Sequence, residues 1–351
     1  MVAKERIEWV DTLRGLGIIA IYVGHFGSHA GPLHMFVYAY HVPLFFFASG
    51  FFAKIKTEEN LFQSIKRLFV RIMVPYIGFL VIAAIVYHLY NGYNVAWMVG
   101  QGFFGIRNKL FAGSLWFLPC MFVMASMYQV ILRIVKRKEY ALIVAIILFV
   151  LTKTILPFNP GTQPSWFWNI DSALYYIVYY ALGALIFPYI KKIRFNNSGT
   201  LKKVTISVFA LLCFVIAGVV FFKGANYIPS LLNVKISAIK WIVSICITLS
   251  LIFANIFLAV SLSKVTFLRN LGQSTLILCG TENILKILVP SFVGIFSLSI
   301  NLSDGSALRT LIYSISLLAI NYYTITTFIK NHIPLLVGNS TPKQSLKRIH
   351  K

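Results

Sequence analysis

Acidic residues are scarce in this sequence. Its 351 residues include only nine Asp and Glu against 32 Lys and Arg, and charged residues of both signs make up 12% of the chain. That is about half their share in an ordinary soluble domain. A soluble protein needs a largely polar outer layer, so this composition excludes that class. The aromatic content of 15% also excludes a disordered chain, because disordered chains are poor in aromatic residues.

Motifs that bind metals or nucleotides are missing as well. The four cysteines, Cys120, Cys213, Cys246 and Cys279, are scattered singly through apolar segments, without the paired spacing of a metal or redox site. The sequence also contains no P-loop and no dinucleotide-binding glycine motif. We therefore predict buried cysteines, no metal, no permanently bound cofactor and no ATP hydrolysis by this chain.

What the sequence has instead is long apolar runs separated by short basic clusters. Hydrophobic residues make up 58% of the chain, and its net charge is +23. A nucleic-acid-binding protein would carry such a charge on one face of a soluble domain, so no nucleic-acid partner is predicted. Several runs reach the roughly 20 residues that a helix needs to cross hydrocarbon. The sequence therefore predicts an integral membrane protein in contact with the lipid bilayer.

The runs predict an all-α fold with about ten transmembrane helices. Gly15–Phe52 supplies two of them because Gly31–Pro32 breaks it, and a third begins at Ile72 and ends before the turn signal Asn91–Asn94. The remaining spans are predicted at Leu110–Leu132, Tyr140–Leu156, Ser172–Ile190, Val204–Phe222, Trp241–Ser263, Leu271–Pro290 and Thr310–Ile329.

Basic residues set the predicted orientation. With ten spans, 24 of the 32 Lys and Arg fall on one side, and loops rich in these residues stay in the cytoplasm. Both termini are therefore predicted to be cytoplasmic. Residues 1–351 form a single polytopic membrane domain in this interpretation, with spans over roughly 12–330 and a basic cytoplasmic tail at 331–351.

Polar residues inside a membrane are costly and mark candidate functional sites. Arg14 and His25 are eleven residues apart, which places them on nearly one face of a helix and roughly 16 Å apart along its axis. Asp11, at i−3, is positioned to orient Arg14. In the functional interpretation His25 accepts a proton. The alternative is a structural histidine and an arginine whose charged head reaches the membrane surface.

Two further groups are candidates for the same site. His41 follows the break in the first run, and folding there would bring it close to His25. Lys66, Arg67 and Arg71 precede the third span. Three bases so close together bind either a phosphate-rich ligand or lipid headgroups.

Two motifs in the first run form a combination typical of one enzyme family. The start of the sequence resembles the opening of membrane acyltransferase family 3, and most of all its fucose 4-O-acetylase-like branch. The similarity lies at Val10–Gly15, at Gly24–His25 and at His41–Gly50. Weaker similarities extend the resemblance to about 7–330. They lie at Lys66–Arg67 and Arg71 before Pro75–Tyr76, at Ser114–Leu118, at Asp171–Tyr176 with Leu182–Gly183, and at Leu271–Leu276.

The resemblance implies a ten-helix O-acyltransferase of the bacterial plasma membrane. Such an enzyme moves an acyl group, acetyl by default, from cytoplasmic acetyl-CoA or another acyl-CoA to a hydroxyl of an extracytoplasmic carbohydrate or cell-envelope glycan. By matching position, His25 is the essential histidine and Arg14 is the basic residue before it. Arg67 and Arg71 match a basic motif that contacts the CoA, and Trp116 matches the aromatic motif of the fourth span.

The chemistry of acyl transfer suits these residues. A sugar hydroxyl needs a base as it attacks a thioester, and His25 supplies one without a metal. The developing oxyanion needs a hydrogen-bond donor or a cation. Arg14 lies too far along the helix for that role, so we expect it at the phosphate or pantetheine end of the CoA, with His41 or Trp116 closer to the reacting carbonyl. Lys66 completes the candidate CoA-binding residues.

Two acids are candidate acceptor-binding residues. Glu282 falls where relatives often have a histidine, and with Lys286 it forms an i,i+4 pair, for which a structural ion pair is the alternative. Asp171 opens the sixth span and either caps that helix or binds sugar hydroxyls.

The rival function is a transporter or flippase for a lipid-linked sugar or small solute, which scattered polar residues and a proline-broken helix also suit. The sequence specifies neither the acceptor nor the oligomeric state.

Overall fold

The structure is a computed structural model that describes residues 6–55, 58–191, 200–233, 235–295 and 307–337. Every regular element within these ranges is helical. The α-helices are α1 (Glu8–Gly24), α2 (Pro32–Tyr38), α3 (His41–Gly50), α4 (Leu61–Asn91), α5 (Val95–Phe104), α6 (Phe117–Val135), α7 (Lys138–Ile155), α8 (Ile170–Ile190), α9 (Thr200–Lys223), α10 (Tyr227–Leu231), α11 (Ser237–Ser261), α12 (Thr266–Gln273), α13 (Thr275–Ile295), α14 (Ala307–Asn321) and α15 (Thr327–His332).

The chain divides into two compact units, which are described separately below. Unit 1 consists of Met1–Ala48, Ile186–Thr275 and Ile300–Leu318, and unit 2 consists of Ser49–Leu185, Leu276–Ser299 and Ala319–Lys351. The single polytopic domain expected from the sequence stays a prediction.

Within the described ranges, six stretches of helix are long and apolar enough to cross a membrane, and each overlaps a span predicted from the sequence. Many large apolar side chains are exposed, among them Val208 and Leu211 on α9, which are more than half exposed. Exposed apolar surface of this extent is stable only in contact with an apolar environment such as lipid. The total of ten spans and the cytoplasmic termini stay predictions. The six stretches are Leu61–Asn91, Gly113–Val135, Phe167–Ile190, Val204–Lys223, Ser237–Ser261 and Ala307–His332.

The first apolar run breaks where the sequence predicts, but its second half is not one continuous helix. Gly31 has a φ of 52°, a value that glycine adopts without strain, and Pro32 is the first residue of α2. The chain then leaves the helix at Ala39–Tyr40 before α3, which is only 10 residues long. Because Pro43 lacks an N–H and fits only the first turn of a helix, it favours a new start at His41.

In unit 2, α4 begins at Leu61 rather than at Ile72, where the sequence analysis places the start of the third span. Asn60 accepts from the Gln63 N–H, and the Gln63 side chain accepts from the Asn60 N–H, so a capping box fixes this helix start. The basic cluster therefore lies on the first turns of α4. The helix ends at Asn91 as predicted, followed by a glycine in the left-handed conformation.

Candidate functional site

α1 holds Arg14 and His25 in the arrangement that their spacing predicts. The helix is continuous from Glu8 to Gly24, and His25 follows it with helical φ and ψ while its N–H donates to the carbonyl of Ile21. The two residues therefore lie on nearly one face of the helix, about 16 Å apart along its axis. Both are half-buried.

Aromatic rings surround the end of α1 within unit 1. The backbone at Gly24 packs so closely on Tyr38 that an added Cβ would lie 3.1 Å from the ring. The ring centroid of Tyr38 lies 4.5 Å from that of His34 and 4.9 Å from that of His41. The structure thus brings His34 and His41 together beside the residue that precedes His25. The sequence analysis missed Tyr38, whose i+4 spacing from His34 was its one signal.

His41 is buried and held in one orientation. Its Nδ1 lies 2.8 Å from the carbonyl oxygen of Val37, and the side chain is 3% exposed. A carbonyl only accepts hydrogen bonds, so in the neutral ring Nδ1 carries the hydrogen and Nε2 is the basic nitrogen. This bond suits a structural histidine and also a reacting histidine with a fixed tautomer.

Asp11 joins α1 to α12. Its Oδ2 accepts from Nε of Arg6 at 2.6 Å and from Nε2 of Gln273 at 3.2 Å, and Asp11 is almost fully buried. A second ion pair, between Glu8 and Arg269, links the same helices. The carboxylate thus serves the packing of these helices, and its predicted role in orienting Arg14 stays a prediction.

Glycines bring α1 and α12 into backbone contact. A Cβ added to Gly272 would overlap the carbonyl oxygen of Asp11, and one added to Gly15 would overlap that of Leu268. Small residues allow such close approach between helices in membranes. The resemblance motif Leu271–Leu276 therefore includes a packing residue that sets the position of the helix carrying Arg14.

The basic cluster lies at the start of α4 in unit 2, where its members have different surroundings. Arg67 forms an ion pair with Glu59, at 2.9 Å between Nη2 and Oε2, whereas Lys66 and Arg71 are exposed. Arg133, at the end of α6, donates to Ser64 on the first turn of α4. Neither Arg133 nor Glu59 was among the site residues predicted from the sequence.

Trp116 lies at the opposite end of α6 from this cluster. The seventeen residues from Trp116 to Arg133 correspond to about 25 Å of helix, so the structure does not bring Trp116 and Arg67 together. The guanidinium of Arg107 lies 4.6 Å from the Trp116 ring centroid and donates to the carbonyl of Gly161 at 2.7 Å. Arg107, which was not among the predicted site residues, is thus a polar neighbour of Trp116.

The motif Ser114–Leu118 contacts α13 through Ser114. Ser114 Oγ donates to the carbonyl of Cys279 at 3.0 Å, and the amide of Asn283 lies 2.8 Å from the same Oγ. Glu282, which precedes Asn283 in α13, is fully buried. The side chain of Lys286 lies outside the described residues, so the expected pair with Glu282 stays a prediction.

Asp171 bonds both the loop before α8 and an N–H group in the first turn of that helix. Its Oδ2 accepts from the N–H groups of Ser165 at 2.6 Å and Trp166 at 3.2 Å, and its Oδ1 accepts from the N–H of Ser172. The carboxylate is completely buried. This arrangement holds the loop, and a role in binding sugar hydroxyls stays a prediction.

Replacing Asp171 by alanine is expected to destabilise the protein. The change removes the acceptor of three N–H groups, those of Ser165, Trp166 and the buried Ser172, and a buried N–H without an acceptor costs about 1–3 kcal/mol. The midpoint of thermal unfolding in detergent, followed by tryptophan fluorescence, measures the effect. Glu139→Ala, which removes an acid that is 54% exposed, is the control and should leave the midpoint unchanged. Equal midpoints for both variants would contradict a structural role for Asp171.

The apolar helices and their exposed apolar side chains define a multi-pass α-helical membrane protein. Among the residues described, no group of three His, Cys, Asp or Glu is placed to hold a metal ion.

A family model described as an acyltransferase domain, that of acyltransferase family 3, matches residues 7–279. The chain belongs to this family of membrane acyltransferases, and the transporter alternative is not favoured. The fucose 4-O-acetylase-like branch stays a prediction. No curated protein and no solved structure matches the chain.

Proposed function

We propose that the protein is an O-acyltransferase that moves an acetyl or other acyl group from cytoplasmic acyl-CoA to a hydroxyl of an extracytoplasmic carbohydrate or envelope glycan in a bacterial plasma membrane. The observation that carries the proposal is α1, which lies within the family match and holds Arg14 and His25 on one face. Its basic end, with the start of α4, faces the cytoplasm in this proposal because positively charged segments stay there.

The proposed reaction needs one base and no metal. The acceptor oxygen bonds to the carbonyl carbon of the thioester as its proton passes to His25. The bond between that carbon and sulfur then breaks. His25 gives the proton to the CoA thiolate, which leaves as a thiol. A positioned histidine contributes about 10²- to 10⁴-fold to such a transfer. His41 is the proposed stabiliser of the oxyanion. Its ring is buried and held by the Val37 carbonyl, so Nε2, when it carries a proton, is a fixed hydrogen-bond donor shielded from water.

Arg14 is proposed to bind the phosphate or pantetheine part of the donor. Replacing it by alanine should weaken acetyl-CoA binding by roughly tenfold, since a charge-assisted hydrogen bond contributes about 1.5–3 kcal/mol. Equilibrium binding of acetyl-CoA to the purified variant measures this, with Arg137→Ala, whose side chain is 65% exposed, as the control. Unchanged binding with lost turnover would instead assign Arg14 to the chemistry.

The proposed donor is tested with purified protein in detergent. We expect the wild type to bind acetyl-CoA and to release free CoA slowly, detected as thiol, through hydrolysis or self-acetylation. Glycan mass spectrometry of cells with and without the protein then identifies the acceptor as a mass increase of one acyl group. A wild-type protein that neither binds acetyl-CoA nor releases thiol would contradict the proposal.

A further inference from the structure

Two arginines from different helices of unit 2 bond to the same residue, Glu59. Arg67 of α4 donates from Nε and Nη2 to Oε2 of Glu59, at 3.0 and 2.9 Å. Arg133 of α6 donates from Nη2 to the backbone carbonyl of Glu59 at 2.8 Å and to Ser64 Oγ at 3.0 Å. Ser64 Oγ in turn donates to the same Oε2 at 3.2 Å. Arg67 and Ser64 thus form an anion site that the protein fills with the carboxylate of Glu59, and Arg133 adjoins this site through Ser64 and the backbone of Glu59.

The charges at this anion site are not balanced. Arg133 also donates from Nη1 to Gln129 Oε1 at 2.9 Å, so the acceptors described for it are all neutral oxygens. Arg67 is therefore paired with the carboxylate of Glu59, whereas Arg133 beside it bonds neutral oxygens. The side chains of Arg67 and Glu59 are 31% and 19% exposed, so a dissolved anion reaches them.

A phosphate monoester suits this arrangement better than a carboxylate does. It carries up to two negative charges and three acceptor oxygens, and arginine binds phosphate through two parallel hydrogen bonds. Among the parts of the proposed donor, the 3′-phosphate of CoA is a monoester, whereas its pyrophosphate carries one charge on each phosphorus.

We infer that Arg133 is a further CoA-binding residue and that Glu59 occupies the place of the 3′-phosphate until the donor displaces it from Arg67. The inference rests on the proposed use of acyl-CoA. It makes Glu59 a competitor for the donor, so its carboxylate lowers donor affinity and speeds release of the CoA product.

The test compares binding of CoA and of 3′-dephospho-CoA to the full chain in detergent, for the wild type, Glu59→Gln and Arg133→Gln. We expect Glu59→Gln to bind CoA about three- to tenfold more tightly, because a neutral amide competes weakly for Arg67. Arg133→Gln should bind CoA about tenfold more weakly through loss of one charge-assisted contact. Both variants should bind 3′-dephospho-CoA within about twofold of the wild type, since that ligand lacks the monoester.

A neighbouring surface pair supplies matched controls. Glu139 and Arg137 are 3.6 Å apart and more than half exposed, so Glu139→Gln and Arg137→Gln change the net charge equally without touching the anion site. Both should bind CoA as the wild type does.

The outcomes separate the inference from the proposed function. A wild type that binds no CoA contradicts the proposed donor and the inference with it. If the wild type binds CoA but Glu59→Gln binds it no more tightly, or if Arg133→Gln loses affinity for both ligands equally, the cluster only holds α4 against α6. A gain of affinity in Glu59→Gln cannot arise from misfolding, so this variant keeps the test decisive even if Arg133→Gln fails to fold.

Discussion

Replacing His25 by alanine is expected to lower acyl transfer by about 10²- to 10⁴-fold while acetyl-CoA binding persists. The loss follows from the chemistry, because a sugar hydroxyl holds its proton at neutral pH and needs a base as it attacks. Binding persists because the proposed contacts with the donor come from Arg14 and from the basic cluster of α4. Thiol release from acetyl-CoA and equilibrium binding, read in the same samples, measure the two effects.

A second histidine variant makes this result specific. His88 is exposed near the end of α4, where Nδ1 bonds the carbonyl of Tyr93, so His88→Ala should retain wild-type thiol release. Unfolding midpoints of both variants show whether the proteins are intact. An intact His25→Ala protein with more than about a tenth of wild-type turnover would exclude His25 as the general base, since that loss is below the usual contribution of such a base.

Replacing Gly272 by alanine is expected to lower the stability of the protein. The new Cβ would overlap the backbone carbonyl of Asp11 and approach the backbone nitrogen of Gly15. Backbone cannot rotate away as a side chain does, so α1 and α12 must separate. Overpacking of this kind costs about 1–3 kcal/mol and occasionally more. The midpoint of thermal unfolding in detergent should fall, and α1 should lose its position, so turnover should fall too.

Gly218→Ala supplies the matched control. Gly218 lies within α9, and a Cβ there meets nothing within 4 Å. Because alanine favours helix over glycine by up to about 1 kcal/mol, this variant should be neutral or slightly more stable. If Gly272→Ala unfolds at the same midpoint as Gly218→Ala, the close contact between α1 and α12 does not contribute to the fold.

The helical class and the positions of six spans were predictable because both follow from local sequence. A run of apolar residues long enough to cross hydrocarbon has few alternatives to a helix, since each backbone group must be bonded within the segment. The turn after Asn91 and the break at Gly31 were predictable for a similar reason, because glycine and proline act on the backbone at their own positions. The start of α4 was misplaced because its basic residues were taken for a loop, although Asn60 and Gln63 carried the capping signal.

The candidate site was predictable only in part. The common face of Arg14 and His25 depends on helical geometry within one segment, which spacing supplies. The ring cluster around Tyr38 depends on how α2 folds back on the end of α1. The separation of Trp116 from Arg67 depends on α4 and α6 packing side by side. Neither the ring cluster nor this separation can be predicted from residue spacing within one segment.

By itself, the sequence determined that this protein is built from apolar helices, where six of the long ones lie, and which helix carries Arg14 and leads to His25. Only the tertiary structure decided that Asp11 bonds Gln273, that Arg107 covers Trp116, and that Arg67 and Arg133 converge on Glu59. The physical reason is the range of the forces. Hydrophobic transfer and backbone bonding act residue by residue along the chain, whereas ion pairs and close glycine contacts join segments distant in sequence, and these form only when the helices pack.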